Sequence, residues 1–109
     1  MMIVTNLDER RSEVRELAAA RDRLRYHTPK NLVMAIAGEA GGLVAEFQWL
    51  TSEESDAAKL TAGQRASIES EMADIFIYLL RLSDVLQVDL AKIAGEKLNI
   101  NETQFPTLS

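Results

Sequence analysis

The sequence predicts an all-α protein built as a bundle of four helices, and three observations carry that prediction. Only 2 prolines and 5 glycines interrupt the 109 residues, too few for the frequent turns of a sheet protein. Apolar residues recur at helical spacing over long stretches, and no stretch shows the two-residue alternation of a half-buried strand. With 47% hydrophobic and 27% charged residues, the chain can fill a core rather than remain disordered. Residues 1–109 are enough for one domain and too few for two independent cores.

The first helix is expected over about residues 7–25, where Leu7, Val14, Leu17, Ala18 and Leu24 gather on one side. Asp8 and Glu9 lie near its start, where negative charge suits the helix dipole. "YHTPK" breaks it, because Pro29 pushes Thr28 out of the helical region and is itself comfortable in a first turn. A second helix is therefore expected from residue 29 to about 50. The polar stretch "LTSEESDAAKLTAG" reads as a connecting loop, and Thr61 or Gly63 opens a third helix running to about Gln87. Within it, "IFIYLL" (residues 75–80) is apolar on every side. Such a run asks for cover from its own domain on one side and from another subunit on the other, so the bundle is completed by oligomerisation. A fourth helix is expected from about Asp89 towards Asn101, before "FP" ends it.

Composition excludes several functions. There is no cysteine, so disulfides, thiolate metal sites and a cysteine nucleophile are ruled out, and a reducing compartment is implied. No apolar run has the length of a signal peptide or of a membrane span of roughly 20 residues. A cytoplasmic location and no membrane partner are the expectations. A net charge of −5 argues against a nucleic-acid partner, since phosphate-backbone affinity comes from clustered Lys and Arg. The local basic patch in "RDRLRYHTPK" suits a small anion better.

Glu71 and Asp74, three residues apart, share one helix face and precede the all-round apolar run. Lone carboxylates there would be costly to desolvate, whereas a shared cation offsets their repulsion. Oxygen-only clusters suit hard ions such as Mg²⁺ or Mn²⁺. Glu39 has a comparably apolar setting, and two antiparallel helices would bring it opposite Glu71 and Asp74. Spacing alone leaves blander readings open. An ExxD pair is more often a solvated face, His27 a packing or capping residue, and Trp49 a core residue. The paired glycines in "GEAGGLVAEFQWL" could mark only a close helix–helix contact.

Taken together, "RD" (Arg21–Asp22), "YHTPKNL", "GEAGGLVAEFQW", "EMADIFIYLLRL", "VDL" and "KLNINETQFP" resemble the MazG-like nucleotide pyrophosphohydrolases of the all-α NTP pyrophosphatase superfamily, nearest the dCTP pyrophosphatase branch. The resemblance runs in unbroken order over nearly the whole chain. It implies a Mg²⁺-dependent enzyme in which water attacks a (d)NTP, such as dCTP or a modified dNTP, to release pyrophosphate and the monophosphate. The family's ExxE…ExxD signature maps onto Glu39, Glu71 and Asp74 as metal ligands, with Gly42 where the second glutamate belongs and Ala45 where a further one is common. Glu46, two turns from Glu39, is a substitute catalytic carboxylate. His27 and Trp49 match base-pocket residues, and Lys97 and Asn101 match positions near the phosphates and nucleotide. Arg23 stands in place of a usual tryptophan and can stack on a base through its guanidinium. Gln104 replaces a usual cation, and Tyr78 is a candidate hydrogen-bond partner for a carboxylate or a phosphate. A homodimer or homotetramer is implied. The rival reading is a catalytically impaired relative that binds nucleotide or a protein partner.

Overall fold

The computed structural model describes residues 6–104, and among them there are helices and turns but no strand. The helices are α1 (Leu7–Ala20), α2 (Pro29–Phe47), α3 (Ala62–Val85) and α4 (Leu90–Gln104). Two short 3₁₀ turns, Leu24–Tyr26 and Ala57–Lys59, lie in the connections.

Each start has a local chemical cause. Asn6 caps α1 by accepting from the Glu9 amide at 2.8 Å, and Thr28 caps α2 ahead of Pro29. Thr61, one of the two residues expected to open the third helix, forms a capping box with Gln64. Asp89 accepts from the Lys92 amide at 3.0 Å and so caps α4.

The ends differ from the expected bounds. The first helix stops at Ala20 rather than running to residue 25. Asp22 takes a left-handed φ of 52°, and the amide of Arg23 turns back to the Ala18 carbonyl at 2.8 Å. The second helix ends at Phe47, short of residue 50. There Thr51 and Glu54 form their own reciprocal pair, at 2.8 and 3.1 Å, which gives the backbone an alternative to more helix. Gln87, at φ 57°, turns the chain out of α3, and α4 continues past Asn101 to Gln104. The "FP" expected to end the fourth helix lies outside the described residues.

The long third helix is the spine, with α1 and α2 packed against it. Contacts step from His27–Arg81 to Gly42–Glu71 as residue numbers rise in one partner and fall in the other. The α2–α3 pair is therefore antiparallel, as expected. Arg15–Asp84 and Arg11–Val88 show the same for α1 and α3. Leu32 and Leu80, each 1% exposed, are the best-buried side chains, joined by Ala18 and Ile68. That is a small core for these helices, and Met34, Val44, Met72 and Phe76 remain exposed. Of the "IFIYLL" run, Leu80 is buried while Phe76 and Ile77 are about 40% open. The fourth helix does not close a bundle within the chain: residues 91–100 are exposed throughout, including Ile93, Leu98 and Ile100.

Candidate functional site

The antiparallel α2–α3 pair brings Glu39, Glu71 and Asp74 together, with one oxygen from each within 4.8 Å of the others. The spacing on α3 stacks Glu71 and Asp74 one turn apart, and α2 lays Glu39 across them. All three are half-buried. Three like charges this close repel, and the structure shows the strain electrostatically. Glu39 is pushed above the usual carboxylate range, chiefly by the hydrogen bond it shares with Glu71, then by desolvation and by the charges of Glu71 and Asp74.

Gly42 explains how Glu71 fits. A Cβ built on Gly42 would lie 2.8 Å from the carboxyl carbon and both carboxylate oxygens of Glu71. The carboxylate of α3 thus rests on bare backbone of α2, and Glu71 Oε2 is buried there with no hydrogen-bond partner. A buried carboxylate oxygen without a partner is costly unless a cation reaches it. The donor set is all oxygen, so the residues fit a hard divalent ion.

Beside the triad opens a cavity of about 390 Å³, within the range of small-molecule sites. Glu39 and Asp74 line it together with Arg21, Arg23, His27 and Tyr78, over an apolar floor that includes Leu17 and Ile77. Burial, then the charges of Arg81 and Arg23, hold His27 below the ordinary histidine range, so it enters the cavity as a neutral ring.

Of the residues expected at the site, Glu39, Glu71, Asp74, His27, Arg23 and Tyr78 converge on this corner. Glu46 is half-buried on α2 but is not part of the triad. Trp49 does not line the cavity, and at 86% exposed it is not a core residue either. It follows the end of α2 at Phe47, outside the helical segment that carries Glu39. Lys97 and Asn101 ride on α4 and are likewise absent from the cavity wall.

Sequence reasoning missed two features. Arg21, which opens both "RD" and the basic patch "RDRLRYHTPK" suited to a small anion, was given no individual role, yet it lines the cavity. The cluster around Asp84 was not seen at all. Arg15 donates to it from α1 through Nε at 2.7 Å and through Nη2, Arg81 donates to it from its own helix, and Arg11 approaches to 4.0 Å. Asp84 is only 7% exposed, and Arg15, ahead of Arg81 and Arg11, holds it below the usual carboxylate range. The signal was present: Arg81 and Asp84 are charges three apart inside the apolar stretch "LLRLSDVL".

No family model matches the sequence. Individual proteins do. The chain is 37% identical over 91 residues to dCTP pyrophosphatase 1 of Homo sapiens and 35% identical to that of Rattus norvegicus, in each case covering 84% of this chain and 54% of the relative. It therefore spans about half the length of these relatives. A crystal structure of a pyrophosphatase from Archaeoglobus fulgidus superposes with a TM-score of 0.85 at 33% identity, covering 98% of both chains. An all-helical fold with a carboxylate triad on an antiparallel pair defines the class. The chain belongs to the MazG-like all-α nucleotide pyrophosphohydrolase family.

Proposed function

We propose that the chain is a nucleoside triphosphate pyrophosphohydrolase, converting a (d)NTP to its monophosphate and pyrophosphate with Mg²⁺ held by Glu39, Glu71 and Asp74. The observation that carries this reading is the unpartnered buried Oε2 of Glu71, within a carboxylate triad at the edge of a ligand-sized cavity. Glu39, Glu71 and Asp74 would hold a divalent ion, Mg²⁺ or Mn²⁺, which would supply neutralisation of phosphate charge and a lowered pKa for water. The protein side of the reaction is positional. One of Glu39, Glu71 and Asp74, or Glu46, orients the attacking water, and Tyr78 hydrogen-bonds a phosphate or a carboxylate. Arg21 sets positive charge against the phosphates, and Arg23 stacks on the base. The dCTP pyrophosphatases among the relatives make dCTP, or a modified dNTP, the substrate we favour, in clearance of unwanted nucleotides.

Trp49, Lys97 and Asn101 complete the nucleotide site only on assembly, as a homodimer or homotetramer. The exposed apolar side chains of α2, α3 and α4 support that arrangement. No described helix is long and apolar enough to cross a membrane, and we place the activity in the cytoplasm.

Pyrophosphate release from a panel of ordinary and modified dNTPs, with and without Mg²⁺, tests the reading. Turnover that needs Mg²⁺ and vanishes in Glu71→Ala supports it. Gly42, standing where the family signature has a glutamate, favours one second reading, an impaired relative that binds nucleotide. Binding without turnover would establish that instead, and neither would overturn both.

A further inference from the structure

A polar cluster outside the triad ties α1 to α3 and ends on the only histidine of the chain. Arg81, 7% exposed, donates through Nη1 to Asp84 and through Nε to His27 Nδ1 at 3.1 Å. A guanidinium has only donors and stays charged. The His27 nitrogen facing it must therefore offer a lone pair, and the proton of the neutral ring must sit on Nε2. We propose that Arg81 is a positioning residue that fixes His27 as the Nε2–H tautomer and presents that hydrogen to the cavity as an uncharged donor. The ligand atom it suits is an acceptor of the class of a nucleobase carbonyl oxygen or an unprotonated ring nitrogen.

Two features separate this from a simple structural ion pair. Asp84 already receives two hydrogen bonds from Arg15, so it is held to α1 without Arg81. The Arg81 Nε bond instead reaches a side chain that lines the cavity. Arg23 adds a second positive charge near the ring, and both charges disfavour an imidazolium. Only the identity of the acceptor rests on the nucleotide reading above; the tautomer does not.

A single histidine makes the test direct, because the ¹⁵N-labelled 109-residue chain has one pair of imidazole nitrogens. The expected spectrum has a pyridine-like Nδ1 and a pyrrole-like Nε2, with an N–N coupling across the bond from Arg81 Nε. In Arg81→Met the two nitrogens should shift towards exchange-averaged positions. A pyrrole-like Nδ1, or nitrogens unmoved in Arg81→Met, overturns the proposal; should that variant fail to fold, the presence or absence of the coupling in the unaltered protein decides. For the donor role the probe is a non-hydrolysable dCTP analogue with Mg²⁺. Loss of one neutral hydrogen bond should weaken its binding roughly three- to tenfold in Arg81→Met and His27→Asn. His27→Gln, whose amide can reach the Nε2 position, should recover most of that affinity. Equal affinities across these variants remove the donor role. If the analogue does not bind the unaltered protein, the nucleotide reading falls and takes the donor role with it, while the spectrum still judges the tautomer.

Discussion

Gly42 has no side chain, and the Glu71 carboxylate rests against its bare backbone. The carboxylate of Glu71 occupies the space where any Cβ at position 42 would be. Gly42→Ala should relieve an unfavourable helix glycine of about 1 kcal/mol, yet its Cβ makes the flexible carboxylate end of Glu71 shift from its present seat. The expected outcome is a protein at least as helical, with Mg²⁺ affinity lowered on the order of tenfold, as for other disturbances of a ligand's support. Isothermal titration with Mg²⁺ and circular dichroism read the two effects separately. Gly42→Glu meets the same obstruction, so it should not act as a simple gain of one ligand. At this scale the sequence was partly legible. The triad could be found because spacing of three on a helix is a geometric statement about one face. The position of Trp49 could not, because it depends on where α2 stops and how the chain leaves it.

Among the elements, α3 is the one whose damage should be felt everywhere, since α1 and α2 both rest on it. Leu80→Ala opens a cavity at a residue 1% exposed and should cost about 2–5 kcal/mol by denaturant titration. Asp84 supplies a pH-dependent tie between α1 and α3. Its folded-state pKa is depressed, so its contribution is complete above the unfolded carboxylate value and is lost as the pH falls through the folded one. The thermal midpoints of the unaltered protein and Asp84→Asn should therefore differ most near neutrality and converge in acid. Parallel curves would assign the tie to something other than that charge. Helix starts were readable from Thr28, Pro29 and Thr61, whose cap chemistry is local. Helix ends were legible for α3, expected at about Gln87 and found at Val85, but not for α1, expected at residue 25 and found at Ala20. Asp22 and Gln87 reverse the backbone at positive φ, where no glycine marks the turn.

For the whole molecule, a single chain leaves Val33, Met34, Val44, Met72 and Phe76 open on the α2–α3 pair. A second copy of the chain is the proposed cover, and sedimentation should report at least twice the 12.1 kDa of one chain. Phe76→Asp, placing a charge on a residue 41% exposed, should lower that mass and turnover together while leaving α-helical content largely intact. Unchanged mass would direct attention to α4 as the contact instead. The all-round apolar run was the visible clue to this need. Nothing in the sequence indicated that α4 would stand away from its own chain, because docking depends on surfaces only the folded parts create. The lone indole at position 49 now acquires an experimental use. At 86% exposure in the single chain, it should emit at long wavelength when the chain is dissociated, and anything that covers it would shift that emission to the blue. An unlabelled sample thus carries its own optical reporter, able to tell dilution-driven dissociation from nucleotide uptake by the concentration at which the colour moves.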